Sequence, residues 1–252
     1  SVTSVGFLAI TALPARLGEL ARPYLITKKS RITMPAALGT ILVERVFDSA
    51  AILLIFAAVL LSNPALPPWL TTSAVIVFFI TLAMLAAMIW IPAKRDASMK
   101  VLSPLINRFP GRFAGKLQEM LDHLIDGFMI FRHFRLLAAV SLLSLAIWII
   151  DVLAVYSLFF AFDFRLSLMA ATVSVIILLI GIAIPTAPGF IGNWHYACIL
   201  GLTLFGIPKA EALAFAIIYH FLSIAMIIVL GLIFLPFNKV SLPELKKEAA
   251  SG

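Results

Sequence analysis

Four long stretches of the chain are apolar and almost free of charge, and they restrict the possible folds more than any other sequence feature. They cover residues 50–61, 71–92, 136–161 and 213–235. A helix of about 20 apolar residues crosses a hydrocarbon core about 30 Å thick. Hydrophobic residues make up 63% of the 252 residues, more than a soluble domain can cover. We therefore predict an all-α, polytopic integral membrane protein built as a helix bundle.

Positive charge is confined to a few short segments, and these set the predicted orientation. Residues 15–33 carry five basic residues against Glu19, and residues 93–135 carry eight basic residues against four acids. Loops rich in Lys and Arg stay on the cytoplasmic side of the membrane. The net charge of +7 thus indicates topology, and we expect no nucleic-acid partner.

We expect one transmembrane domain, residues 1–252. Its predicted segments are a broken or re-entrant unit (1–33), two transmembrane helices (34–92), a cytoplasmic amphipathic segment (93–135), further transmembrane helices (136–235) and a cytoplasmic tail (236–252). In the third segment, apolar residues recur at helical spacing between 113 and 128. This helix is expected either to lie on the inner membrane surface or to pack under the bundle.

Two Pro/Gly breaks interrupt apolar segments. Residues 168–206 are broken at 184–189, so they form either two short crossings or, as we prefer, a hairpin that re-enters the membrane. Irregular backbone at membrane depth is tolerated where it is buried in protein or lines a wet cavity. Residues 14–18 have the same Pro-x-x-x-Gly spacing, which favours an inverted repeat.

Charged and polar residues at membrane depth are candidate site residues, because an intramembrane charge costs about 3 kcal/mol on insertion scales. Two arginines after the first break suit a phosphate group. The plainer alternatives are salt bridges that fix packing and arginines that reach the interface. For Asp151 we expect Arg45, His195 or His220 as partner. The candidates are Arg16, Glu19, Arg22, Glu44, Arg45, Asp48, Asp151, Pro188, Gly189, Gly192, Asn193, His195 and His220.

Motifs of soluble enzymes are missing. The sequence has no H-E-x-x-H, no G-x-S-x-G and no P-loop. Its one cysteine, Cys198, lies in an apolar helix and is expected to be a buried thiol. We predict no catalytic residue, no metal and no cofactor.

Three motifs carry a resemblance to a known family. They are LPARLGELARPYL at residues 13–25, VERVFD at 43–48 and PTAPGFIG at 185–192. In this order the chain resembles the lysylphosphatidylglycerol synthase transmembrane-domain family, also called the flippase-like domain family. The resemblance covers nearly the whole chain, and it implies that the family's first helices precede Ser1. No synthase domain is present in this sequence.

The resemblance implies lipid translocation across a bacterial or archaeal cytoplasmic membrane. The expected partners are membrane lipids, either a phospholipid or a polyprenyl- or hopanoid-type lipid. Assembly into a homo-oligomer is an open alternative. The family pattern usually has an acid after the Pro-Gly-Gly-x-Gly turn and an Arg after Tyr on the last helix. Here His195 and His220 stand at these positions, and Phe190 replaces the second glycine. The resemblance therefore leaves the cargo and any ion coupling open.

Three other functions compete with a flippase. The first is a membrane-embedded transferase acting on a lipid-linked sugar, with Glu44 or Asp48 as general base. The second is a transporter of a small anion, coupled to protons through His195 and His220. The third is a scaffold whose buried charges only fix packing. In the flippase hypothesis Arg16, Arg22 and Arg45 meet the lipid phosphate. Glu19, Glu44 and Asp48 balance those arginines or meet a cationic head group.

Overall fold

A computed structural model of the chain describes residues 2–12, 21–62, 67–183 and 188–238. These residues form α-helices and short 3-10 turns without a β-strand, which confirms the predicted all-α class. The helices are α1 Val2–Ala12, α2 Ala21–Lys29, α3 Met34–Ser62, α4 Pro68–Ala93, α5 Arg95–Ile106, α6 Gly111–Gly127, α7 Phe134–Ala161, α8 Leu168–Ala183, α9 Asn193–Thr203 and α10 Lys209–Phe234.

Several predictions fall outside these residues. They are the first break at 14–18 with Arg16 and Glu19, most of the second break at 184–187, and the basic residues of the tail after 238.

Three of the described helices are long and apolar enough to cross a membrane, namely α4, α7 and α10. They have 26 to 28 residues, or about 40 Å at 1.5 Å per residue. Large apolar side chains on them are exposed, such as Phe79 on α4 and Leu142 on α7. In lipid an exposed apolar face is the favoured arrangement, so these helices match the predicted spans.

Helix α9 has 11 residues and the described part of α8 has 16, whereas a span needs about 20. Both lie in the first of two compact units, which consists of Ser1–Lys29 and Ile149–Gly252. Within it α1 packs on α2, α8 packs on α9, and α10 packs on both α1 and α9. Within the described residues, the second apolar segment is thus divided between two helices that pack on each other.

The α8–α9 pair is held by small residues. A Cβ added to Gly181 would lie 2.6 Å from the Cβ of Ala197, and one added to Gly201 would lie 3.1 Å from the Cα of Ser174. Small residues let helix backbones approach closely in membranes, where the hydrophobic effect does not drive helices together. Every residue of α8 from 170 to 178 is buried, so this apolar helix faces protein rather than lipid.

The second unit, Ser30–Trp148, is organised by α3 and α6. The two backbones meet at Gly39 and Gly127, where a Cβ on Gly39 would lie 2.5 Å from the carbonyl oxygen of Leu124. Val43, Val46 and Met88 form the adjoining core. The periodicity between 113 and 128 correctly predicted α6, whereas α5 was not predicted.

Substitution Gly39→Ala is expected to lower the free energy of unfolding by about 1–3 kcal/mol, because the added methyl group meets a backbone carbonyl that cannot move away cheaply. Thermal midpoints of the purified protein in detergent measure the effect. Gly115→Ala is the matched control, since a Cβ there meets nothing within 4 Å and Ala favours helix over Gly by about 1 kcal/mol. Equal midpoints for the two variants would contradict the close α3–α6 contact.

Candidate functional site

The second helix break ends in a tight turn between α8 and α9. Gly189, Phe190 and Gly192 have φ values of 65°, 59° and 95°. Glycine adopts this left-handed region freely, whereas a residue with a bulky side chain is strained there. Phe190 replaces a glycine of the family pattern. Its backbone therefore has a conformation that favours glycine.

His220 on α10 supports this turn. Its Nε2 donates a hydrogen bond to the carbonyl oxygen of Gly189 at 2.8 Å, and the side chain is buried, with His220 only 5% exposed. Because a helix break leaves carbonyls without intrahelical partners, this hydrogen bond supplies a partner where water is excluded. The break and the last helix are thus joined by a side chain that sequence analysis had selected.

An aromatic and histidine cluster surrounds the same turn. The ring of Trp194 stacks on His220 with centroids 4.8 Å apart and an interplanar angle of 16°. His195 meets His220 edge-on at 4.9 Å, and Tyr219 lies 5.2 Å from Trp194. From the sequence, His195 and His220 were a possible pair, and their rings are in contact. Trp194 and Tyr219 belong to the cluster but were not among the predicted site residues.

Polar side chains also satisfy the backbone at the start of α9. His195 accepts a hydrogen bond from the backbone N–H of Gly192 through Nδ1 at 3.4 Å. The amide of Asn193 donates to the carbonyl oxygen of Gly181 at 3.1 Å. Both residues therefore fix the break in place, as capping residues do at helix ends.

Asp151 on α7 approaches the cluster from another helix. Its carboxylate lies 3.4 Å from the hydroxyl group of Tyr219, and the pair falls within the first unit. The hydrogen-bond partner is therefore Tyr219 rather than the expected Arg45, His195 or His220. A phenol donates a hydrogen bond without carrying a charge, so it is able to stabilise either form of this carboxyl group.

Arg22 is a buried cation on α2, which packs on α1. It is 7% exposed, and its guanidinium group lies 5.6 Å from the ring centre of Phe7. The aliphatic part of the side chain occupies the space above Gly6, where an added Cβ would collide with the Arg22 Cγ. Gly6 is thus required for the position of Arg22, a role that the sequence did not indicate.

The predicted charges on α3 lie in the second unit. The guanidinium group of Arg45 reaches the carboxylate of Asp48 at 4.0 Å, and the hydroxyl group of Ser144 on α7 donates to the same carboxylate at 2.8 Å. The indole N–H of Trp148 lies near this carboxylate but outside hydrogen-bond geometry. These contacts agree with the packing role that was one alternative for Asp48. That Glu44 and Asp48 meet a cationic head group stays a prediction.

The helices and the interrupted backbone define a multi-helix membrane protein with a polar cluster at its second break. The family model described as the lysylphosphatidylglycerol synthase TM region matches residues 1–231. The chain therefore belongs to this family, as its three motifs predicted.

Archaeal membrane proteins are among the similar sequences. A UPF0104 membrane protein of Methanocaldococcus jannaschii is 28% identical over 88% of this chain and 90% of its own length. One from Methanothermobacter thermautotrophicus is 25% identical over 90% of this chain and 70% of its own length. No solved structure matches the chain significantly.

Substitution His220→Phe is expected to lower the free energy of unfolding by about 1–3 kcal/mol, because the ring remains against Trp194 while the buried Gly189 carbonyl loses its donor. His220→Gln should recover part of this loss, since its amide still donates. Thermal midpoints in detergent give the comparison, and His133→Phe at an exposed position is the control. If His220→Phe melts like the control, the hydrogen bond does not hold the break.

Proposed function

We propose that this protein moves a phospholipid or a lipid-linked head group between the leaflets of the cytoplasmic membrane. The proposed path of the head group runs along the first unit, where α1 contacts both α2 and the turn Pro188–Phe190. The observation that carries the proposal is that these elements bring buried polar groups, Arg22 on α2 and His220 at the turn, to interrupted helices within an apolar protein.

The physical argument concerns the cost of burying a head group. A polar group that enters hydrocarbon without hydrogen-bond partners costs several kcal/mol, and a charge costs far more. Arg22 offers a planar set of N–H donors that suits a phosphate group. Asp151, with the hydroxyl group of Tyr219 beside it, offers an acceptor for a cationic or hydroxylated part of the same head group.

The acyl chains need no such path. Leu153 and Phe160 on α7 and Phe221 and Leu232 on α10 are exposed, so lipid tails find apolar surface along these helices. A flippase requires this combination, because the head group crosses in a polar environment while the tails stay in the bilayer. A transporter of a small soluble anion would instead need a site closed to lipid.

Family membership agrees with this proposal, since the family is described by the membrane region of a lipid synthase. The proposed cargo remains a class, namely phospholipids or lipid-linked head groups that carry a phosphate. We propose no catalytic residue.

The contact between His195 and His220 favours one second candidate, a proton-coupled transporter of a small anion. The two imidazole rings have centroids 4.9 Å apart, and histidine is a common proton-relay residue near neutral pH. Such a pair suits coupling of proton and anion movement. This candidate predicts anion uptake driven by a pH gradient and no movement of lipid.

Lipid movement is measured in liposomes that contain phospholipids with a fluorophore on the head group, by the rate at which dithionite destroys the inner-leaflet signal. Wild-type protein is expected to accelerate this loss. Arg22→Gln should slow it about tenfold, which corresponds to about 1.4 kcal/mol. Gly6→Ala should slow it as well, because it keeps every charge but displaces Arg22. Lys209→Gln removes an exposed charge at the start of α10 and should leave the rate unchanged.

Two results would contradict the proposal. One is equal rates for wild type and Arg22→Gln, which would remove Arg22 from the path. The other is a wild-type rate equal to that of protein-free liposomes with anionic, zwitterionic and aminoacylated lipids alike. Uptake of a small anion under a pH gradient in those same liposomes would then favour the second candidate.

A further inference from the structure

Helix α6 has a continuous apolar face of which only one half is covered by protein. Leu124 and Gly127, in its C-terminal half, contact Gly39 and Ala36 of α3. Nearer the N-terminus, the side chains of Phe113 and Met120 are 68% and 46% exposed. At 100° per residue, these two residues project from the same side of the helix as Leu124.

The polar side of α6 is occupied in a different way. Arg95 donates hydrogen bonds to the carboxylates of Asp122 and Asp126, both at 3.0 Å. Burial lowers the pKa of Arg95, but the two carboxylates outweigh it and hold the pKa above its ordinary value. An open depression of about 430 Å³ follows this side, with Gln118 and Glu119 in its lining. The polar side therefore faces water.

Charge differs along the helix. Arg112 and Lys116 flank Phe113, and Arg108 precedes the helix. The acids begin at Glu119, beside Met120, and continue with Asp122 and Asp126. The N-terminal end of the uncovered apolar face, around Phe113, is thus bordered by basic residues, which suits a surface of negative charge.

The neighbouring helices place α6 beside the membrane. Because α4 and α7 are both long enough to cross it, the segment between Ala93 and Phe134 lies at one membrane face. The contact of α6 with the first turns of α3 holds it close to that face. An apolar stripe flanked by Lys and Arg is the pattern of helices that lie in the membrane interface.

We propose that residues 112–120 of α6 form a binding surface for anionic phospholipids of the adjacent leaflet. Phe113 and Met120 insert below the head groups, and Arg112 and Lys116 contact the lipid phosphates. Near an anionic surface each basic residue contributes about 1 kcal/mol, which corresponds to a preference of roughly fivefold per residue. The surface is in the second unit and does not depend on the cargo of the proposed flippase.

The test uses the full chain in nanodiscs that contain phosphatidylglycerol and phosphatidylcholine. In a Cys198→Ala background, spin labels are attached to Phe113→Cys, Met120→Cys and Gln118→Cys, and their accessibility to oxygen and to a water-soluble nickel chelate is compared. Labels at 113 and 120 are expected to favour oxygen, as in lipid, whereas the label at 118 on the same helix favours the nickel chelate. The proposal is overturned if the labels at 113 and 120 have the same accessibilities as the label at 118, or if all three labels are inaccessible to both reagents.

A second measurement tests the preference for anionic lipid. A fluorophore on Phe113→Cys is quenched by nitroxide-labelled phosphatidylglycerol or phosphatidylcholine, and the ratio of the two association constants is determined. We expect a ratio of roughly fivefold or more for the wild-type background and about one after Arg112→Gln and Lys116→Gln are combined. A ratio near one before these substitutions would overturn the assignment to anionic lipid. Lipid translocation is not measured, so failure here is distinct from failure of the proposed function.

Discussion

A helix that breaks inside an apolar medium exposes backbone carbonyl and N–H groups that water would otherwise satisfy. In this protein side chains replace water. His220 of α10 donates to the buried carbonyl oxygen of Gly189, and Asn193 of α9 donates to the carbonyl oxygen of Gly181 on α8. His195 accepts from the N–H of Gly192, three residues before it, at an exposed position. Without its partner the buried Gly189 carbonyl would cost about 1–3 kcal/mol, so the interrupted backbone depends on His220.

Close packing is the second condition for such a break. Gly181 against Ala197, and Gly201 against Ser174, bring α8 and α9 into contact along their length. The fully buried stretch of α8 follows from this contact and its neighbours. The first unit therefore keeps its polar groups near a fixed turn, while α4 and α7 present ordinary apolar surface.

The long helices were predictable because the change in hydropathy and the helix-breaking residues mark their ends directly. The apolar stretch 71–92 became α4, which begins at Pro68 and ends at Ala93, and residues 136–161 became α7 with two more residues at its start. Proline at the start of α4 lacks an N–H that a helix interior needs, so it begins a helix easily. By contrast, α5 is short and contains an internal proline, Pro104, a residue that argues against a helix interior.

The candidate site was predictable only in part, since its partners are distant in the sequence. The His195–His220 contact followed from a break beside one histidine and an adjacent helix that carries the other. Ser144 is 96 residues from Asp48, and a serine in an apolar helix has no pattern that indicates such a partner. The positions of Gly6 under Arg22 and of Tyr219 beside Asp151 depend in the same way on tertiary packing.

The central claim is that a lipid head group enters the polar part of the first unit. Photo-crosslinking tests it directly, with the protein in nanodiscs and a phospholipid that carries a diazirine on its head group, followed by mass spectrometry of the labelled peptides. The account predicts labels on α2 around Arg22 and on residues 188–195, reduced when unlabelled phospholipid is added in excess. Labels confined to the lipid-facing sides of α4 and α7 would contradict it.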